Sequence, residues 1–287
     1  MKDTSISLPL EKVYHWEVAR ADNIYMTQPM GGGVVVEYTW RKAVDEARRM
    51  ASYLKSLNLP PKSRIGILSK NCAHWIMSDW AIMMAGHVSV PLYPTLNAET
   101  VAYILEHSEA QVLFVGKLDD WDMMKPGVPD TLHCVSYPLS PKNNYPTWND
   151  IIAKFPPLQG KTERDPDELA TVVYTSGSTG KPKGVMLSFR NMAYAAEGGT
   201  QALDISSEER MLSYLPLSHV FERFVVEFGS IYRGFHLFFA ESLDTFVEDL
   251  KRARPTIFLA VPRIWTKFQT GVFAKMPPEK LSKLLRY

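Results

Sequence analysis

The sequence predicts an α/β fold: two βαβ-rich subdomains with largely parallel sheets flanked by helices. Short apolar runs alternate with helical patterns of about 10–15 residues, the rhythm of βαβ crossovers. Those runs are nearly unbroken in Val, Ile, Leu and Phe, as expected of strands covered on both faces. The rhythm lapses between Ser136 and Glu168 and then resumes, so the pattern occurs twice. The chain has 287 residues. At roughly 150 residues per domain, that allows about two domains or subdomains, with core enough to need neither disulfides nor a structural metal.

The elements follow in order. Gly31-Gly32-Gly33 marks a turn between Tyr25-Met26 and the strand-like run Val34–Val36. Thr39 then caps a helix whose apolar positions, Trp40, Val44, Ala47, Met50, Leu54 and Leu57, recur at helical spacing. Pro60-Pro61 ends it. Arg64–Leu68 reads as a strand, Cys72–Ala85 as an almost wholly apolar helix closed by Gly86, and Val88–Val90 as another strand. Asn97 caps a helix carrying Val101, Ile104 and Leu105, and the strand Val112–Val115 follows.

Six of the 20 prolines fall between Ser136 and Glu168 (Pro138, Pro141, Pro146, Pro156, Pro157 and Pro166), with little periodicity. An irregular connector is expected there, with a seam between subdomains near residues 140–168. Beyond it come a strand Ala170–Tyr174, a Gly/Ser/Thr loop, and a helix from about Ser188 to Gln201. A strand Met211–Tyr214, a helix from about His219 to Tyr232 and a strand His236–Phe239 follow. Thr245 and Glu248 stand at capping-box spacing, Thr256–Ala260 reads as a strand, and Pro262 opens the last helix. Leu281–Tyr287 keeps an apolar helical spacing with no stop signal, so the chain is expected to be a portion of a longer one.

Composition excludes several classes. Lys and Arg number 32 against 31 Asp and Glu, which leaves no overall basic footprint, so no nucleic-acid partner is expected. Cys72 and Cys134 lack the spacing of a zinc or disulfide framework and suit a reducing, cytoplasmic setting. No secretory leader is visible. The two greasiest stretches, Trp75–Tyr93 and Phe224–Ala240, hold Asp79, His87, Glu227 and Arg233, so neither reads as a membrane span. Peripheral membrane contact stays compatible; oligomeric state is not legible.

The segment richest in chemistry is Tyr174-Thr175-Ser176-Gly177-Ser178-Thr179-Gly180-Lys181-Pro182-Lys183-Gly184. It leaves the carboxyl end of an apolar strand, where ligand sites of parallel sheets form. Its glycines let backbone N–H groups approach a ligand, its hydroxyls add donors, and its lysines add charge, which together suit a polyphosphate. It is not a P-loop, because Pro182 stands where that motif needs Gly-Lys-Ser/Thr.

This string resembles the phosphate-binding signature of the adenylate-forming superfamily, the acyl- and aryl-CoA synthetases, luciferases and peptide-synthetase adenylation domains, and matches it from Tyr174 to Val185 without a gap. The resemblance implies an enzyme that adenylates a carboxylate with ATP and passes the acyl group to coenzyme A. It implies that Thr175, Ser176, Gly177, Ser178, Thr179, Gly180 and Lys183 contact ATP phosphates. Mg²⁺ would be shared by Thr175 with a downstream Glu.

A second match runs from Leu215 to Arg223 (Leu-Pro-Leu-Ser-His-Val-Phe-Glu-Arg). Ser218 is expected to cap the following helix. The family places an aromatic or His near His219, between carboxylate pocket and nucleotide, so His219 is the candidate catalytic residue. Glu222 and Arg223, at i and i+1, do not face each other and are expected to make ordinary helix-surface or interdomain pairs. Val90–Leu96, Ala260–Lys267 and the His-Val-Phe-Glu-Arg run are similar to the long-chain fatty-acyl-CoA synthetase branch.

On this resemblance residues 1–287 are an incomplete AMP-binding N-terminal region. The family's adenine and ribose contacts, Mg²⁺ carboxylate, C-terminal domain and adenylating Lys would follow later. Lys181, Lys183 and Lys251 are not candidates for that Lys, and the chain alone is expected to have little ligase turnover. Three readings stay open: a long-chain fatty acid–CoA ligase; another adenylate-former, such as a fatty-acyl-AMP ligase or a short-chain or aryl acid ligase; and a truncated, non-catalytic lipid- or nucleotide-binding protein.

Overall fold

Two sheets organise the computed structural model, which describes residues 6–175 and 180–276. The chain divides into two units, Met1–Pro255 and Thr256–Tyr287. Both sheets belong to the first. One has six strands in the order β6-β5-β3-β4-β7-β8: His133–Ser136, Ala110–Val115, Arg64–Leu68, Val88–Leu92, Leu169–Thr175 and Lys183–Ser188. The other has four, β2-β1-β10-β9: Val34–Thr39, Ile24–Gly31, His236–Phe239 and Arg210–Ser213. Every pairing among the described residues is parallel except β1 with β2 and β7 with β8. The α/β class with largely parallel sheets and flanking helices is therefore present.

Each sheet draws strands from both sides of residues 140–168: β4 pairs with β7, and β1 with β10. The helix α3, Ala73–Ala85, lies between the sheets and contacts β1 of one and β3 and β4 of the other. Every one of its residues is buried, which accounts for its all-round apolar sequence. Gly86 ends it at φ 88°, with the Gly86 N–H donating to the Met83 carbonyl at 3.2 Å and the His87 N–H to the Ile82 carbonyl at 3.0 Å. A left-handed residue closes a helix most cheaply when it is Gly. Alongside runs α2, Trp40–Ser56, capped as expected by the Thr39 side chain accepting from the Lys42 amide. Where β1, α2 and α3 meet, Tyr25, Trp40 and Trp80 stack, with Trp40 and Trp80 centroids 5.9 Å apart and rings 4° from parallel.

The remaining helices of the first unit are α1 Pro9–Ala19, α4 Ala98–His107, α5 Trp121–Met124, α6 Trp148–Lys154, α7 Phe189–Ala202, α8 Val220–Glu222, α9 Gly229–Arg233 and α10 Phe246–Ala253. A π-helical turn, Arg223–Phe228, joins α8 to α9. Asn97 caps α4 by accepting from the Thr100 amide, and Ser188 with Asn191 forms a capping box on α7.

The proline-rich stretch is more ordered than its composition suggests. Thr147 caps α6, and the Trp148 indole donates to Glu46 of α2 at 3.0 Å. Arg48 donates to the Leu158 and Gly160 carbonyls, and Arg164 to the Met83 carbonyl. Arg48 thus satisfies carbonyls of a backbone short of N–H groups, and Arg164 ties the stretch to the end of α3.

Three local expectations fail. Lys183–Ser188, left inside a loop, is the edge strand β8, visible only once its partner β7 is in place. Thr256–Ala260 is not a strand. Thr245 precedes α10 without the capping-box bond, because its hydroxyl is engaged by Ser242 and Asp249. In the second unit α11, Pro262–Lys275, opens at Pro262 as expected, and Trp265 and Phe268 pack around Phe258. Leu281–Tyr287 lies outside the described residues. No helix of the described residues is long and apolar enough to cross a membrane.

Candidate functional site

Strand β7 is buried from Ala170 to Tyr174 and emerges at Thr175. Its return strand β8 pairs Tyr174 with Gly184 and Thr175 with Lys183, so β7 and β8 are the arms of an antiparallel hairpin. Ser176, Gly177, Ser178 and Thr179 lie outside the described residues. Gly180 has φ +91°, a conformation side chains disfavour. At Gly184 a Cβ would stand 2.7 Å from Val172 Cγ1, so the close pairing needs Gly. The stem is pinned to α4: the Tyr174 hydroxyl and His107 Nδ1 are 2.7 Å apart, and Lys181 lies 5.6 Å above the Tyr103 ring.

Ser89 of β4 pairs with Thr171 of β7. Four residues on from each stand Tyr93, just past the end of β4, and Thr175, the last residue of β7, both at the sheet's carboxyl edge. The Tyr93 ring meets His219 edge-on at 6.5 Å. The structure therefore brings the second motif to the same edge as the hairpin. His219 is exposed and is itself the N-cap of α8, its Nδ1 accepting from the Phe221 amide at 3.2 Å. This corrects the expectation that Ser218 caps the helix; its hydroxyl is buried without a partner among the described residues. A neutral ring accepting at Nδ1 carries its proton on Nε2.

Asn71, following β3, holds the His219 loop in shape. Its side chain accepts from the Leu217 amide at 2.9 Å and donates to Ser213 and the Leu215 carbonyl. Lys117, following β5, donates to the Ala240 carbonyl at 3.0 Å and to the Glu241 carbonyl, joining the ends of the two sheets. Burial lowers its pKa. A cleft of about 330 Å³ opens here, lined by Lys70, Asn71, Thr95, Lys117, Tyr214 and Phe246 among others. Its walls come from the carboxyl ends of both sheets, the usual address of α/β ligand sites. Tyr93 falls in the Val90–Leu96 segment of the family resemblance; Asn71, Lys117 and Tyr214 carry no motif, and their one signal is position, one to three residues after parallel strands.

Glu222 and Arg223 are not helix-surface pairs. Both are buried, because their helix runs between the sheets. Glu222 Oε1 accepts from the Ser213 hydroxyl at 3.0 Å and the Tyr214 amide at 3.2 Å. Burial nonetheless pushes its carboxyl from 4.5 to about 8, those hydrogen bonds pulling the other way. The folded protein binds this proton more tightly than the unfolded chain. The stabilisation is thus full below about pH 4.5 and is lost as pH rises through about 8. Glu222→Gln is expected to flatten that decline and raise stability near pH 9 by on the order of 3 kcal/mol. Urea midpoints at both ends of the range measure it; an unchanged slope assigns the effect elsewhere.

Arg223 donates through Nη2 to both Asp79 oxygens at 2.7 Å and to the Ser89 hydroxyl at 3.0 Å, and through Nη1 to the Thr171 hydroxyl at 2.6 Å. Its Nε lies 3.3 Å from Glu227 Oε2, out of hydrogen-bond alignment. Burial, reinforced by the neighbouring Asp79 charge, drives the Glu227 carboxyl well above its usual range.

A family model described as AMP-binding enzyme matches residues 17–287. Curated relatives include fatty acyl-CoA synthetase A of Dictyostelium discoideum, 34% identical over 80% of this chain and 37% of its own length. Long chain acyl-CoA synthetase 4 of Arabidopsis thaliana is 30% identical over 91% of this chain and 44% of its own. The chain thus spans less than half of either relative. Among solved structures, an anthranilate CoA ligase in complex with anthranoyl-AMP superposes with TM-score 0.77 at 22% identity, over 88% of this chain and 49% of that one. ATP-bound MatB from Rhodopseudomonas palustris gives 0.75 at 20%, over 91% and 50%. At those identities the likeness is one of fold.

Proposed function

Because the chain belongs to the AMP-binding enzyme family, we propose that its β7–β8 hairpin holds the phosphates of ATP in a long-chain fatty acid–CoA ligase. The intact protein would join a fatty acid to AMP with loss of pyrophosphate, then transfer the acyl group to the thiol of coenzyme A. The observation that carries this reading is the Tyr174–Val185 string standing on a hairpin at the carboxyl edge of a mostly parallel sheet. The curated relatives named as fatty acyl-CoA and long-chain acyl-CoA synthetases support the substrate class.

A carboxylate approaching the α-phosphate brings two anions together, so the site must supply donors and positive charge where charge accumulates. Thr175, Ser176, Gly177, Ser178, Thr179 and Gly180 are proposed as the donors, and Lys183, exposed opposite Thr175, as the cation. The exposed Thr175 hydroxyl is a hard oxygen of the kind Mg²⁺ accepts. Thr175 would serve as one ligand of a nucleotide-bound ion. When bound, Mg²⁺ would neutralise phosphate charge. His219 is proposed to stand between nucleotide and carboxylate. Each buried methylene of an acyl chain adds about 0.8 kcal/mol, so a long chain binds without charged contacts. The proposal sets the enzyme in the cytoplasm, meeting a hydrophobic substrate by peripheral membrane contact.

The full-length protein, supplied with ATP, Mg²⁺ and coenzyme A, is expected to form thioesters with dodecanoic to octadecanoic acids and to release AMP. Acyl-adenylate without thioester would favour a fatty-acyl-AMP ligase. Turnover confined to acetate or benzoate would rule out the long-chain reading.

A further inference from the structure

We propose that Arg223 is the positioning residue of the candidate site, a buried clamp that fixes the hairpin strand, the Tyr93 strand and the His219 helix against one another. The inference rests on the adenylation reading for its activity arm alone.

The geometry is regular. The two hydroxyls that Arg223 grips, Thr171 and Ser89, are partners in the β4–β7 register. The Thr171 hydroxyl donates in turn to the Ser89 carbonyl at 2.9 Å, closing the group. Each gripped residue stands four positions before a site residue, Thr171 before Thr175 and Ser89 before Tyr93. Arg223 itself stands four after His219, its N–H donating to the His219 carbonyl at 3.1 Å. Four strand residues span about 13 Å and four helical residues about 6 Å, so the clamp acts by fixing the positions of the two strands and the helix from which Thr175, Tyr93 and His219 project. Asp79, from α3, accepts from the same Nη2 through both carboxylate oxygens and anchors the clamp to the layer between the sheets.

A planar fork with several donors can hold three elements at once, and a flexible ammonium cannot. An arginine serving only to fill space is a poor choice here, since buried ion pairs are often replaceable by apolar side chains without loss of stability. Charge is balanced within the group: Glu227, 3.3 Å from Arg223 Nε, is driven toward its neutral form, leaving Arg223 paired with Asp79. The π-helical turn that begins at Arg223 is the kind of irregularity found where a helix serves a site.

The test is Arg223→Lys, which keeps the charge and loses the fork. Amide hydrogen exchange on the full-length protein is expected to accelerate together in β4, β7 and α8 while β1 and β2 stay protected. In the full-length protein kcat for fatty-acid-dependent adenylation is expected to fall about 100-fold, with KM for ATP little changed. Combined with His219→Ala, the loss is expected to be smaller than the product of the single losses. Uniform acceleration across both sheets, unchanged exchange, or losses that multiply would overturn the proposal. If Arg223→Lys does not fold, Thr171→Val and Ser89→Ala each release one strand and keep the Asp79 pair. Each should speed exchange at the carboxyl end of its own strand, and wild-type exchange in both overturns the clamp. A wild-type protein without adenylation activity would sink the ligase reading, and the exchange result would still decide the role of Arg223.

Discussion

Lys183→Ala is expected to lower ATP-dependent adenylation by the full-length protein about 100-fold, on the scale of losing one preorganised donor to developing charge. The effect should fall on chemistry rather than folding. Lys183 is the exposed first residue of β8 and makes no ion pair among the described residues. Its backbone pairing with Thr175 does not depend on the side chain. The thermal midpoint should therefore stay within a few degrees of wild type, because surface substitutions of this kind shift stability by about 0.5 kcal/mol or less. Lys183→Arg should restore part of the rate. A variant as active as wild type would remove Lys183 from the phosphate site, and one that is inactive because it unfolds would contradict its placement at an exposed strand end.

Trp80→Ala is expected to cost about 3–5 kcal/mol of stability, a large share of what a domain of this size possesses. Trp80 is fully buried on α3, between the sheets, stacked 5.9 Å from Trp40 and 5.5 Å from Tyr25. Truncation would empty the space where β1, α2 and α3 meet, and close packing on every side leaves little room for collapse. Its indole N–H has no hydrogen-bond partner among the described residues, so Trp80→Phe removes an unsatisfied donor along with some volume and should cost only about 1 kcal/mol. Urea denaturation of the two variants side by side separates these effects. Equal losses would mean that the indole edge, rather than ring volume, holds the junction.

What the sequence revealed about this molecule was local. Thr39, Asn97 and Gly86 mark their helix ends by chemistry that acts within one turn, and β3, α3, β4, α4 and β5 stand where periodicity puts them. The hairpin string was legible because many donors, little bulk and positive charge coincide in one short segment. Non-local facts were hidden. The edge strand β8 exists by virtue of β7, and its exposed Val185 and Met186 carry no clean alternation. Arg223 looks like a surface residue until Asp79, 144 positions away, and Thr171, 52 positions away, close around it. No local pattern announces a charge whose partners are so distant. The same holds for Asn71 and Lys117, ordinary polar residues until the carboxyl ends of two sheets meet over them. The helix cap at His219 rather than Ser218 turned on a one-residue difference in where the chain becomes helical.

The most direct test of the central claim is exchange of radiolabelled pyrophosphate into ATP by the full-length protein, with and without a long-chain fatty acid. The account predicts exchange that requires both Mg²⁺ and the fatty acid and that falls about 100-fold in Lys183→Ala. Exchange that ignores the fatty acid, or that persists undiminished without Lys183, would contradict it.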